Sequence, residues 1–337
     1  MNKVLWLVIP LMLIAVYLAV LPALPAGRQS SDQIKTVANI GSSIPSSPTD
    51  VALERLSFSI FPDTILQGDP ARITVNGLNF TSTDSISPST TGLGPSGLLQ
   101  AIKSLTFDGK PLPVFFYDGK PTALVGIDLR GKIGSYLLVL TLEDGQKIEK
   151  KLLVGKRIIA KAPFGIPEKL GGDTPEAEKE LINTLIQEST IISAVPTSDE
   201  MLWSSGFRFP LADPVIVTDT YGYSRLTGAS TISHKGTDLR ATLGTSVYAM
   251  NSGLVRFVRN LRNYGNTIII DHGLGLQTIY MHLSEMNVEV GDTVERGELI
   301  GKSGDTGYVL APHLHITVRI GGISIDPMKF MELLGPK

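Results

Sequence analysis

His234-Lys235-Gly236-Thr237-Asp238 and His313-Leu314-His315 are the two stretches of this sequence whose residue types and spacing suit metal chemistry. The chain holds five histidines, at 234, 272, 282, 313 and 315, and none precedes position 234. It holds no cysteine, which excludes disulfide scaffolds, thiol nucleophiles and thiolate metal sites. Any metal must therefore be held by His, Asp or Glu. On an extended strand, residues i and i+4 face the same side, as do i and i+2. His234 is thus expected to converge with Asp238, and His313 with His315. A catalytic zinc site takes three protein N or O ligands and keeps a fourth position for water. His234, Asp238 and one member of the HxH pair can supply the three. His282 and the other member of the pair then stay free to move protons. An HxxxD or an HxH alone recurs by chance; both together, with every other histidine nearby, are much harder to attribute to it. No HExxH helix occurs, so a glutamate base of that kind is excluded.

Such a cluster needs a frame. From about 201 to 337 the apolar runs predict strands at 247–249, 254–258, 266–271, 277–282 and 313–320. Turns are expected at Gly291-Asp292, Gly297-Glu298, Gly304-Asp305 and Gly321-Gly322, and no helical periodicity is visible. His272, in Asp271-His272-Gly273, is expected to be structural.

The stretch from about 214 to 328 resembles the lysostaphin/LytM-type zinc metallopeptidases, which cleave peptide cross-links of bacterial peptidoglycan. The similarity is carried by SHKGTDLRATLGTSVYAMNSGLV, GNTIIIDHGLGLQTIYMHLSEMNVEVGDTVERGELIGKSGDTG and APHLHITVRIGGISIDP. The resemblance implies that His234, Asp238 and His315 hold a zinc ion (Zn2+), and that His282 and His313 are the catalytic pair beside it. None of these five positions departs from the family pattern, and His272 is not among its functional positions. Two other functions compete. VEVGDTVERGELIG at 288–301 is similar to a half-motif of biotinyl/lipoyl-type barrel-sandwich domains, which also serve in transport adaptors. Those carriers need a modified Lys at a hairpin tip, and none is present. The other competitor is a non-catalytic envelope scaffold that activates another wall hydrolase; the intact ligand set argues against it.

The remainder of the chain reads as accessory. Residues 51–155 alternate with period 2 and carry three Asp-Gly pairs, at 108, 118 and 144, between apolar runs. A small immunoglobulin-like β-sandwich is expected there, with a loose polar insert at 81–98 and with Asp63, Asp69 and Asp128 as turn or solvated residues. It serves as a spacer or as a docking module for an envelope protein partner. In the connector, 156–200, Thr174 can cap a helix that begins at Pro175, with Glu176 and Glu178 at the positive end of its dipole. Leu181, Ile182, Leu185 and Ile186 give it an apolar stripe, expected to pack one domain on the other. Residues 27–50 are Ser-rich and poor in large apolar side chains, a tether. Between residues 4 and 24 there is no charge at all, and a helix of that length spans the ~30 Å hydrocarbon core. Residues 1–26 are accordingly expected to be an uncleaved transmembrane anchor, or failing that a signal segment. With 30 basic and 32 acidic residues, the net charge of −2 offers no nucleic-acid footprint. The sum is a mainly β chain, membrane-anchored, with its catalytic domain (201–337) outside the cytoplasm and peptidoglycan peptide as substrate.

Overall fold

The computed structural model describes residues 56–77 and 101–335. The expected anchor at 1–26, the tether at 27–50 and the polar insert at 81–98 lie outside the described residues. Among the described residues no helix is long and apolar enough to cross a membrane.

Period-2 alternation of apolar side chains folds the first part into two sheets packed face to face. One runs β1 (Ser57–Phe61), β3 (Pro70–Asn76), β7 (Lys120–Gly126), β6 (Phe115–Tyr117). The other runs β2 (Ile65–Leu66), β9 (Lys147–Gly155), β8 (Gly134–Leu142), β4 (Ile102–Phe107), β5 (Lys110–Leu112). Ile73 and Ala123 from the first sheet meet Leu105, Leu138 and Leu140 from the second in one core. All three Asp-Gly pairs fall between paired strands. Asp108 and Asp118 sit at φ 49° and 50° and their glycines at 78° and 75°, the two positive values that a tight hairpin turn requires. Asp69 corrects the expectation of a solvated residue. It is buried, accepts the Leu66 N–H at 2.8 Å and pairs with Arg157, which also donates to Asp326 Oδ2 at 3.0 Å.

After β10 (Lys161–Pro163) comes the capped helix, α1 (Pro175–Ser193), with Thr174 Oγ1 accepting the Ala177 N–H at 3.2 Å. Leu181 packs with Ile166 and Tyr308, and Ile192 with Phe257, Ile269, Ile279 and Met281. The stripe differs from the sequence pattern, because Ile186 is 62% exposed. The buried apolar side chains of the helix pack on the C-terminal half and on the connector itself, Ile192 on the C-terminal sheet and Ala177 and Leu181 against Ile166 and Tyr308, rather than on the sandwich core. Polar contacts hold it there. The buried Glu188 carboxylate accepts the N–H of Asn263 at 3.0 and 3.1 Å and that of Tyr264 at 3.2 Å. The last turn of α1 lacks a basic residue, and Arg319 donates to the Ile192 carbonyl at 3.1 Å. A cation at that end also suits the helix dipole. The sandwich makes a separate junction, where Phe115 and Tyr117 pack on Trp203 with ring centroids 5.7 and 5.3 Å apart.

The C-terminal sheet has the order β11 (Val217–Asp219), β14 (Thr237–Leu239), β21 (Leu314–Ile320), β18 (Leu276–Met286), β17 (Gly265–Gly273), β16 (Gly253–Leu261), β19 (Thr293–Val294). Off that path, β15 (Ser246–Tyr248) and β20 (Leu299–Ser303) pair with each other, and β22 (Ile323–Ile325) pairs with β21. β12 (Ser224–Thr227) and β13 (Ser230–Ser233) form a small sheet with β10. All five predicted strands are present. The expectation of no helix after 201 is corrected by α2 (Pro327–Leu334), whose first turn Asp326 caps by accepting the Met328 and Lys329 N–H groups. Its apolar face, with Phe330, Met331 and Leu334, closes the bottom of the core.

Candidate metal centre

His234 and Asp238 do not share one strand, as their spacing had implied. His234 lies just past β13, the chain turns at Lys235 and Gly236, and Asp238 sits on β14. The turn presses against β21 so closely that a Cβ at Gly236 would collide with the His315 ring and the Ile316 carbonyl. Convergence is achieved by this packing. Asp238 is directly opposite His315 in the β14–β21 ladder. His313 precedes β21 and forms an isolated bridge with Gly304.

His282 enters from β18. It occupies the left-handed region at φ 63°, where the β17–β18 register slips. A non-glycine residue seldom adopts this conformation, and an irregularity of this kind re-aims a side chain. The His282 ring ends 5.0 Å from that of His313 and 5.8 Å from that of His315, centroid to centroid. The structure thus brings together all five residues expected at the site. His272 is apart and fully buried; its ring nitrogens bond the Ser252 carbonyl at 2.7 Å and Thr278 Oγ1 at 2.8 Å.

Hydrogen bonds fix which nitrogens carry lone pairs. His234 Nδ1 donates to the Thr220 carbonyl at 2.9 Å, so its Nε2 is the acceptor nitrogen. Thr317 Oγ1 gives its proton to the Lys235 carbonyl at 3.1 Å and so accepts from His315 Nε2 at 3.0 Å, which leaves a lone pair on His315 Nδ1. Asp238 Oδ1 can only accept when ionised. These three atoms face one another: Nε2 of His234 is 3.0 Å from both Asp238 Oδ1 and His315 Nδ1, and the latter two are 2.7 Å apart. Three lone pairs aimed at one point in a buried place repel unless a cation stands between them. The edges are a few tenths of an ångström shorter than the ~3.3 Å of a tetrahedron with zinc–ligand bonds of ~2.0–2.1 Å. The donor set fits a zinc ion.

Electrostatics favour the deprotonated forms of Asp238 and His315. Burial alone would raise Asp238, but His234 and His315 hold its carboxyl well below the usual carboxylate range. Burial pushes His315 down to about 4 against the pull of Asp238. His282 is likewise pushed well below its ordinary value by burial, then by His313 and His315. Its Nδ1 donates to the Thr306 carbonyl at 2.8 Å, so Nε2 is free to accept a proton. His313 donates from Nδ1 to the Ala311 carbonyl at 2.9 Å, and its Nε2 lies 3.5 Å from Asp238 Oδ1.

Arg225 belongs to the site although its sequence carries no motif. It is buried under the donor set, donating to Asp238 Oδ2 at 2.7 Å and Asp219 Oδ2 at 3.1 Å, with its guanidinium carbon 4.3 Å from the centre of the Phe164 ring.

Two histidines and one carboxylate, with two further imidazoles free to carry protons, make up what a metal-assisted hydrolase requires. Residues 232–327 match the model of Peptidase family M23, and the C-terminal domain of this chain is an M23 domain. Over 96 residues the chain is 43% identical to peptidoglycan DD-endopeptidase ShyA of Vibrio cholerae, covering 28% of this chain and 22% of the relative. It is 40% identical to lysostaphin of Staphylococcus simulans over 124 residues, covering 34% of this chain and 25% of the relative. The chain thus spans about a quarter of the length of these relatives. A crystal structure of a protein assigned to peptidase M23 from Pseudomonas aeruginosa covers 68% of this chain and 87% of its own, with 26% identity and a TM-score of 0.50. That coverage extends well upstream of residue 232.

Proposed function

We propose that this chain is a zinc metalloendopeptidase that hydrolyses peptide cross-links of bacterial peptidoglycan at the cell envelope. The observation that carries the reading is the meeting of three lone pairs, on His234 Nε2, Asp238 Oδ1 and His315 Nδ1, at one buried point beside two unliganded imidazoles. In this reading those three residues hold the metal, and His282 and His313 are catalytic. A zinc ion held there supplies Lewis acidity for the scissile carbonyl and makes a bound water acidic enough to act near neutral pH. His282, neutral and with Nε2 free, takes the proton of the attacking water. His313, whose ring lies 5.0 Å from that of His282, faces the oxyanion, and the proton taken up by His282 goes on to the leaving amine. General acid–base assistance of this kind is worth ~10²–10⁴-fold.

The relatives named for peptidoglycan cleavage support the substrate class. Residues 51–155 act as an accessory domain, 156–200 as the connector and 201–337 as the peptidase domain. The uncharged stretch 4–24 anchors the chain in the membrane with the peptidase outside the cytoplasm. The test is mass spectrometry of fragments released from purified peptidoglycan of defined cross-link type, with and without chelator. Release of cross-linked peptides that stops on chelation and resumes with zinc is expected. A zinc-replete chain that releases nothing from any cross-link type would reject it in favour of a scaffold. Retention of residues 1–26 in a carbonate-washed membrane fraction tests the anchor separately.

A further inference from the structure

The trough that opens onto the histidines, about 570 Å³ in volume, is walled by parts of the chain far apart in sequence. Its floor is the face of β18 and β21, one wall is α1 with Ile182 and Leu185, and another is the sandwich loop that carries Asp128 and Arg130. Four cationic side chains line it: Arg130, Arg225, Lys235 and Arg319. Two of them are committed. Arg225 holds Asp219 and Asp238, and Arg319 holds the Ile192 and Gly322 carbonyls. The other two are exposed and unspent. The guanidinium of Arg130 makes one long contact, to Ser233 Oγ at 3.3 Å, and the Lys235 ammonium makes none among the described residues. Asp128, the one carboxylate among the lining residues, is turned back to accept the Arg130 backbone N–H at 2.7 Å.

These two cations stand on either side of a metal-donor residue. Ser233, which Arg130 touches, immediately precedes His234, and Lys235 immediately follows it. An arginine fork and an ammonium that line one trough, at positions flanking His234, are suited to a carboxylate. An extended peptide advances ~3.3–3.6 Å per residue, so a group bound next to His234 belongs to a residue close to the bond being cut.

We propose that Arg130, from the accessory sandwich, and Lys235, from the peptidase domain, form a carboxylate subsite of the trough. It selects peptide substrates with a free carboxylate on the first or second residue from the scissile bond. The sandwich is then a part of the substrate site rather than a spacer. The proposal rests on the peptidase reading above.

The test uses two synthetic cross-linked peptides, identical except that one bears a carboxylate and the other a carboxamide at that residue, with the full zinc-loaded chain. The wild type is expected to favour the carboxylate peptide by 10-fold or more in kcat/KM, mainly through KM. Arg130→Gln and Lys235→Gln should each reduce that ratio several-fold, the double variant should bring it near one, and Arg130→Lys should restore part of it. Because the outcome is a ratio within one protein, partial misfolding does not alter it. Equal use of both peptides by the wild type would overturn the subsite. So would a preference retained in the double variant, as when the carboxylate binds the metal itself. Calorimetric binding of the same two peptides gives the same ratio without turnover. Selective binding with no cleavage of either peptide would therefore reject the peptidase reading while upholding the subsite, and equal binding would reject the subsite.

Discussion

Arg225 and Asp238 meet beneath the metal-donor cluster: the guanidinium donates to Asp238 Oδ2 at 2.7 Å, and Oδ1 is left facing His234 and His315. One oxygen of the carboxylate is thereby reserved for a metal and the other for orientation. Partners of this kind typically change metal affinity by ~10–100-fold. Arg225→Gln should weaken zinc binding by about that factor in competition with a fluorescent chelator, with Arg225→Lys intermediate. Unchanged affinity in Arg225→Gln would show that the pair is only structural.

Ligands and proton carriers should separate cleanly. Asp238→Ala or His315→Ala should leave the chain with little zinc by elemental analysis. His282→Ala should keep about one zinc per chain and lose cross-link hydrolysis by ~10²-fold or more. Should zinc fall in His282→Ala together with rate, His282 is a ligand instead.

Glu188 is the buried anchor of α1, accepting the two backbone N–H groups of Asn263 and Tyr264. In Glu188→Ala both donors lose their partner in a buried place, at a cost of ~2–3 kcal/mol. Urea unfolding should show it as a lower midpoint. A midpoint within error of the wild type would mean that water replaces the carboxylate.

His272 gives the chain an acid-sensitive stability term. Burial drives it down to about 4 against the Ser252 hydrogen bond, whereas an unfolded histidine titrates at ~6.5. Between these values the unfolded state binds the proton and the folded state does not. The contribution of His272 is therefore intact above ~6.5 and is lost as the pH falls through 4, in all about 3 kcal/mol. The drop in unfolding free energy from pH 7 to 4.5 should be smaller in His272→Gln than in the wild type. An identical slope would contradict it.

Arg157 joins two carboxylates that belong to different halves of the fold, Asp69 behind β2 and Asp326 at the start of α2. Removing it in Arg157→Ala leaves Asp69 buried without its cation, a change that typically costs ~3–5 kcal/mol. A calorimetric melting shift of several degrees is expected, with Asp69→Asn/Arg157→Leu recovering part of it.

What the sequence made legible was the short-range pattern. The Asp-Gly hairpins and the Thr174–Pro175 helix start each depend on neighbours within a few residues, and the structure has them; the HxxxD and HxH spacings marked residues that do meet, but His234 and Asp238 meet across a turn packed on β21 rather than along one strand. Other features needed partners far along the chain. Asp69 reads as an ordinary turn residue until Arg157, 88 positions later, is folded against it. Arg225 carries no motif because its role is set by Asp238 across a turn and Phe164 from the connector. The irregularity at His282 depends on register between two strands, which no local composition encodes. The helix α2 did have a local signal, Asp326 followed by Pro327 and an apolar i, i+3, i+4 set, but its eight residues are too few for periodicity to stand out.

Trp203 has a consequence of its own. Its indole is 3% exposed and lies between Phe115 and Tyr117 of the sandwich on one side and Phe207 of the C-terminal half on the other. The chain's other tryptophan, Trp6, falls in the N-terminal apolar stretch. A chain begun at residue 51 therefore emits from a single indole placed at the seam between its two halves. Separation of the halves wets that indole and shifts its emission to the red even while both sheets remain folded, so the molecule carries an intrinsic optical gauge of whether its sandwich is seated.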